Sequence, residues 1–205
     1  MLCQFTVKNF KSIRDEVTFD MQAAAISEHE DRIIIDKDEE KYLPVSAIYG
    51  PNGGGKSNVL AALHTLVAKV LRPLFATEDS EEKVLLQKKI IVEPFAFSES
   101  KDEPTEFELF FRTTVSEYRY ILHVKRDIVL YESLDRVKLE TGRKSALFTR
   151  DKNGIILKGA FAKLKVSDEL SKTLTLLSYL GIAYKGNAVV KDVLSWFEYG
   201  IEFLN

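Results

Sequence analysis

Gly50-Pro51-Asn52-Gly53-Gly54-Gly55-Lys56-Ser57 satisfies G-x-x-x-x-G-K-[ST], the spacing of a phosphate-binding loop. A triphosphate needs many hydrogen-bond donors at short range, and glycines offer backbone N–H groups with no Cβ in the way. A helix that starts at the end of such a loop points its positive dipole end at the anion. Lys56 is then expected to reach the β- and γ-phosphates and to be the catalytic cation, with the Ser57 hydroxyl a ligand of Mg²⁺. The bare pattern arises by chance in roughly one chain in a hundred of this length, so its flanks decide. Upstream, residues 43–49 (Leu-Pro-Val-Ser-Ala-Ile-Tyr) are uncharged and β-rich, which predicts a buried strand feeding the loop. Downstream, Val59, Leu63, Leu66 or Val67, and Val70 recur at helical spacing, and Pro73 predicts the stop.

The 205 residues suffice for one substantial domain burying about 70% of its unfolded surface. A net charge of −2 gives no global electrostatic case for nucleic acid, so such contact would need a local patch or a partner. The single cysteine, Cys3, excludes an intrachain disulfide and fits a reducing compartment, and its place in an apolar strand predicts a core residue. Alternation of Cys3, Phe5 and Val7 with Gln4, Thr6 and Lys8 is a strand pattern with no signal-peptide stretch. No uncharged run reaches the ~18 residues of a bilayer span. A cytoplasmic protein with no membrane partner is expected.

Along the chain, Cys3-Phe5-Val7 and Val17-Phe19-Met21 predict an antiparallel pair joined by a turn over residues 9–16. Residues 28–41 are charge-rich and predict a surface excursion, and residues 77–83 an acidic loop. From about residue 90 the period changes to two. Phe107, Leu109 and Phe111, then Tyr118, Tyr120, Leu122 and Val124, then Ile128, Leu130 and Leu134 alternate as an antiparallel meander. Asn153-Gly154 between two apolar runs marks a tight hairpin. Ser167-Asp168-Glu169 is expected to cap a helix that stops near Gly181, and Val190, Val193, Leu194, Phe197 and Ile201, with Trp196 beside them, form a second helical stripe. The fold class expected is α/β, a mixed sheet with an antiparallel β-lobe and C-terminal helices, with the segments 1–75 (strand pair and phosphate loop), 76–160 (variable segment and β-lobe) and 161–205 (helices).

The loop names a ligand class rather than a reaction. A guanine-reading Asn-Lys-x-Asp segment is absent from the sequence, and Asp151-Lys152-Asn153-Gly154 is better read as the hairpin turn than as an Asp-x-x-Gly switch. No arginine cluster follows the loop to form the lid of a small-molecule phosphotransferase. His29, His64 and His123 have no metal-ligand spacing.

The strand of residues 4–7 followed by Asn9-Phe10-Lys11-Ser12, and the run Tyr49-Gly50-Pro51-Asn52-Gly53-Gly54-Gly55-Lys56-Ser57-Asn58-Val59-Leu60, resemble the N-terminal lobe of the RecF/SMC/OLD-like branch of ABC-type ATPases. The meander, with Phe107-Glu108-Leu109, Tyr118-Arg119-Tyr120 and Glu132-Ser133-Leu134, is similar to that of the bacterial AAA and abortive-infection members. The close match covers the first two stretches only. The resemblance implies a P-loop NTPase of ABC type, ATP and Mg²⁺ as cofactors, Asn52 near the γ-phosphate, Gly53, Gly54 and Gly55 as backbone donors, and Asn58 near the α-phosphate. It would also bring Lys11 and Ser12 to the nucleotide, whereas a solvated turn explains the same pair. Lys8, Lys11 and Arg14 read equally as a nucleic-acid contact or as an exposed turn.

The same family needs a Leu-Ser-x-Gly-[Glu/Gln] signature, an apolar strand ending in Asp-Glu and a switch histidine. Leu177-Ser178-Tyr179-Leu180-Gly181 lacks the signature's central glycine, and Ile33-Ile34-Ile35-Asp36 precedes the loop instead of following it. The expectation is the N-terminal part of a longer ATPase: one incomplete domain that binds ATP and hydrolyses it once a C-terminal half is supplied. The implied assembly is a head-to-tail homodimer that sandwiches ATP and gates a DNA-directed nuclease or toxin effector, in phage defence. The alternative is a nucleotide-gated dimerisation sensor with little hydrolysis.

Overall fold

In chain order the elements are β1 (Leu2–Lys8), β2 (Val17–Asp20), β3 (Ile34–Ile35), β4 (Lys41–Tyr42), α1 (Lys56–Phe75), β5 (Thr105–Arg112), β6 (Ser116–Lys125), β7 (Ile128–Lys138), β8 (Lys144–Asp151), β9 (Gly154–Leu157), α2 (Leu176–Ala183) and α3 (Ala188–Tyr199). They come from a computed structural model that describes residues 1–25, 30–36, 38–75, 90–97, 102–167 and 170–203. The acidic loop expected at 77–83, most of the segment 84–92, His29, and Asp168 and Glu169 lie outside the described residues.

The expected strand pair and meander form one seven-stranded sheet, ordered β2-β1-β5-β6-β7-β8-β9, because β1 pairs antiparallel with β2 on one side and with β5 on the other. The remaining neighbours are also antiparallel. Register sets which side chains share the inner face. One row runs Phe5, Leu109, Tyr120, Leu134 and Phe148, and the next runs Val7, Phe107, Leu122, Glu132 and Arg150. Helices α1, α2 and α3 belong to the same core as these rows. The fold is α/β, with a mostly antiparallel sheet and C-terminal helices, as the sequence predicts. Cys3 is buried in β1, and that burial pushes its thiol up to about 11, as befits a packing residue.

Along α1, Val59, Ala62, Leu63, Leu66, Val67 and Val70 are buried, which is the stripe read from the sequence. By length and composition this helix could cross a bilayer, but its apolar face is taken up by the core. Pro73 does not end the helix, which runs on to Phe75. A proline in the last turn forfeits one backbone bond, and the packed face before it holds the helix together.

Three further expectations are corrected. The C-terminal helical segment starts at Leu176 rather than near residue 167, with the Thr175 hydroxyl accepting from the Ser178 N–H, and it passes through Gly181 to Ala183. Ile128 and Leu130 are exposed whereas Val129 is buried, because the β6–β7 register shifts between His123 and Val124 and reverses the strand's facing there. Residues 43–49 form no strand, although they have the composition of one.

The inner face carries one acid, and it is fully buried. Glu132 accepts hydrogen bonds from the N–H groups of Leu176 (2.6 Å) and Leu177 (2.9 Å) and from the Tyr120 hydroxyl (2.9 Å). The Arg150 guanidinium lies 3.9 Å away and itself donates to the carbonyls of Leu174 and Ser171. Burial pushes the Glu132 carboxyl up, against the pull of the two helix N–H groups. The carboxylate thereby supplies the anion that the first turn of α2 needs and ties that helix to β6, β7 and β8. Glu132→Ala leaves two helix N–H groups and the Tyr120 hydroxyl without their acceptor and Arg150 without its counter-charge, so a loss of about 3–5 kcal/mol is expected. Urea unfolding followed by the fluorescence of Trp196, the one tryptophan in the chain and a buried one packed on Phe111, measures it. A loss below about 1 kcal/mol would show the carboxylate to be dispensable.

Candidate phosphate-binding site

The loop of residues 50–57 hands the chain directly to α1, whose first residue is Lys56. Gly53 and Gly55 have φ of +81° and +84°, values that only glycine adopts without strain. The Gly54 N–H bonds the Pro51 carbonyl (3.1 Å) and the Asn58 N–H bonds the Gly55 carbonyl (2.9 Å), closing two tight turns. The N–H groups of Gly53, Gly55, Lys56 and Ser57 have no acceptor among the described residues, and the loop is open to solvent from Pro51 to Gly54. Unpaired donors at the start of a 20-residue helix are the chemistry that an oxyanion requires.

Lys56 folds back over the loop, and its Nζ donates to the carbonyls of Gly50 and Pro51, both at 2.7 Å. It pairs with no carboxylate among the described residues. The Ser57 hydroxyl is exposed and unpartnered among the described residues, and Asn52 is exposed. The Asn58 Nδ2 donates to Ser12 Oγ at 2.7 Å. Asn52, Gly53, Gly54, Gly55, Lys56, Ser57 and Asn58 therefore form one continuous surface. The donor set fits a polyphosphate, with Ser57 offering an oxygen to a hard cation. No group of three or more His, Cys, Asp or Glu side chains among the described residues is placed to hold a metal ion.

The β1–β2 turn stands against this loop. Asn9 and Lys11 have φ of 56° and 48°, and Asn9 is fully buried. The Asn9 amide donates to the carbonyls of Glu103 and Pro104 (both 3.1 Å) and accepts from the Phe95 N–H (2.9 Å), its own carbonyl accepts from the Thr105 hydroxyl (2.6 Å), and the Lys11 N–H donates to the Glu93 carbonyl (2.9 Å). Of the basic trio, Lys8 pairs with Glu106 and Arg14 with Asp15, while the Lys11 ammonium lies over the Phe10 ring. These three do not make a single cationic patch.

On the other side of the loop the sequence reading fails. Residues 44–49 make no backbone hydrogen bond among the described residues, after a last one from the Leu43 N–H to the Met21 carbonyl. Val45 is 77% and Tyr49 90% exposed. The composition of a buried strand is there, but no strand lies beside it among the described residues, so its backbone is left to water. The nearby β3–β4 hairpin is held elsewhere, by Arg112, which binds Asp36 (3.0 Å), Asp38 (2.6 Å) and Glu117 (2.7 Å). Asp36 is thus an ion-pair partner of Arg112 at the end of the two-residue strand Ile34–Ile35. His64 stacks edge-on against Phe203, and Asp151-Lys152-Asn153-Gly154 is the β8–β9 turn. A large cavity among the described residues, about 890 Å³, opens beside that hairpin, far along the sheet order from the loop, between Ile128, Leu130, Arg150, Ile155, Leu157 and Leu170. The loop itself lies on open surface.

Gly55→Ala would force a left-handed alanine, costing about 1–2 kcal/mol, with its Cβ 3.0 Å from Ser12 Oγ. Gly142→Ala carries a similar backbone penalty (φ +63°) with open space around it. Gly55→Ala is expected to weaken Mg²⁺-ATP binding by about tenfold and Gly142→Ala to leave it unchanged, as read by titration calorimetry.

Compared with known proteins, residues 45–202 match a family model described as "AAA domain, putative AbiEii toxin, Type IV TA system". No curated protein matches the chain.

Proposed function

The chain belongs to this AAA-domain family of P-loop ATPases, and we propose that residues 50–57 bind the triphosphate of ATP with Mg²⁺ at a site that a second protein segment completes for hydrolysis. The observation that carries this reading is the loop's set of unpaired N–H groups beside Lys56 and Ser57, on a surface with one bare flank. Asn52, Gly53 and Gly55 take the terminal phosphates, the Gly54 N–H expected as a further donor being already bonded to the Pro51 carbonyl; Lys56 leaves the carbonyls of Gly50 and Pro51 to meet them, and Asn58 lies at the α-phosphate end. Bound at Ser57, Mg²⁺ would neutralise charge that develops on the phosphates.

Support for a second segment comes from the strand-like residues 44–49, whose backbone and side chains are uncovered. An exposed, β-rich segment whose backbone groups have no partner among the described residues offers them to an added strand. We assign it to a C-terminal ATPase half of the RecF/SMC/OLD-like kind, with 1–205 as one incomplete domain and head-to-tail dimerisation bringing a second such body over the loop. The order of strand, Asn-Phe-Lys-Ser turn and glycine loop favours that branch. The words "toxin" and "TA system" in the family description favour a defence setting with a nuclease or toxin effector. A sensor reading, in which nucleotide gates dimerisation with little turnover, draws on the lack of a carboxylate paired to Lys56 among the described residues.

Wild-type protein is expected to bind Mg²⁺-ATP with a modest affinity that Lys56→Ala weakens by about tenfold or more, since charge-assisted bonds contribute about 1.5–3 kcal/mol each. Phosphate release by the 205-residue chain alone should be slower than in a completed site by a factor on the order of 10³. Calorimetry and a phosphate-release assay read the two effects. No binding at millimolar ATP rejects the site, and fast, Lys56-dependent turnover by this chain alone rejects the need for a second segment.

A further inference from the structure

Ser12 lies 46 residues before its hydrogen-bond partner Asn58, on a turn built to hold still. Two successive odd-numbered positions, Asn9 and Lys11, sit in the left-handed region without being glycine. Such backbone persists only where its surroundings over-determine it, and the buried Asn9 amide, the Thr105 hydroxyl and the Glu93 carbonyl do so here. Phe10 adds an edge contact with Phe107 of the core. The turn is thereby fixed to β5 and to residues 93–95, and its tip meets the phosphate loop. There Ser12 Oγ accepts from Asn58 Nδ2 at 2.7 Å and occupies the space 3.0 Å from where a Cβ on Gly55 would stand.

We propose that Ser12 is a positioning residue for the phosphate loop, holding Asn58 and the Gly55 backbone so that the loop keeps its binding shape. The proposal rests on the nucleotide reading above and deepens it. Ser12 acts through Asn58 and Gly55 and needs no contact of its own with the nucleotide. The glycine at position 55 is then required twice, by its φ and by the hydroxyl packed against it. The Asn58 side chain, held by its amide nitrogen, has one orientation in the first turn of α1.

A double-mutant cycle on the full chain tests this, with Mg²⁺-ATP affinity measured by calorimetry for wild type, Ser12→Ala, Asn58→Ala, the double variant and Ser12→Thr. Each alanine variant should bind about three- to tenfold more weakly, the range of one net hydrogen bond. The double variant should be no weaker than the worse single one, as for two residues sharing one interaction. Ser12→Thr, which keeps the acceptor, should bind as wild type, and the urea midpoint of Ser12→Ala should stay at the wild-type value because the residue is exposed. Wild-type affinity in Ser12→Ala, losses that multiply in the double variant, or failure of threonine to rescue overturns the positioning role while leaving the nucleotide site intact. Absence of binding by the wild-type chain overturns both. Should Ser12→Ala fold poorly, Asn58→Ala with and without Ser12→Thr probes the same hydrogen bond from the other partner, and an Asn58→Ala affinity equal to wild type overturns the role.

Discussion

The burial of one face of α1 fixes the rest of the molecule. Val59, Ala62, Leu63, Leu66, Val67 and Val70 enter the core, the larger of them contributing about 1.5–3 kcal/mol each. A helix whose stripe is so committed can neither rotate nor slide. Lys69, also buried, makes the commitment polar as well: its ammonium donates to the carbonyls of Asp127 (2.8 Å) and Thr173 (3.2 Å), so displacing α1 would strand a buried charge. At the next residue, the Val70 carbonyl accepts from the Ser178 hydroxyl of α2 at 2.7 Å, and α2 is held in turn by Glu132. The first turn of α1, and with it the phosphate loop, is placed by a chain of contacts that runs through the sheet.

That placement leaves the loop with two unlike flanks. Its helical flank is part of the core, and its turn flank is braced by Ser12. Its upstream flank, residues 44–49, has no backbone partner among the described residues and carries Val45, Ile48 and Tyr49 into solvent. Apolar side chains scattered on a surface are ordinary. A run of them without backbone hydrogen bonds among the described residues, leading straight into the glycine loop, is a different matter, because both its amide groups and its side chains gain from a neighbouring strand. The surface around residues 51–54 is open, and a large cavity lies elsewhere, beside the β8–β9 hairpin.

Much of this is legible in the sequence because the relevant signals are local. The glycine loop, the alternation in β1, β5 and β6, the Asn153-Gly154 turn and the α1 stripe all depend on neighbours a few residues away. What escapes depends on partners far along the chain. Residues 43–49 have the composition of a strand, but burial needs a neighbour, and composition does not say whether one is present. Alternation alone puts Ile128 and Leu130 inside, because it extends through a register shift that no single strand announces. Glu132 reads as one polar residue in a meander, although its parity with Leu134 puts it on the inner face. The N–H groups of Leu176 and Leu177 that make this tolerable lie 44 and 45 residues downstream, beyond the reach of any local pattern. Ser167-Asp168-Glu169 and Thr175 carry the same type of capping signal, and tertiary contacts to Glu132, Arg150 and Val70 favour the second.

Shape and commitment are separate in this loop. Glycines at positive φ and the Ser12 hydrogen bond define its backbone, and a loop held in one shape has a lower ordering cost on binding. Lys56 is different, since its ammonium already spends two short hydrogen bonds on the Gly50 and Pro51 carbonyls. An incoming phosphate must exchange those bonds for its own, so the lysine contributes only the difference between two charge-assisted sets. Under the proposed function, a loop so arranged would recognise a polyphosphate by geometry and hold it modestly. A strand laid along residues 44–49 would exclude water from the same space and strengthen every charge interaction there through the lower local dielectric. Tight binding and turnover would then arise together with the covering of the bare flank, and neither would need any change in the loop itself.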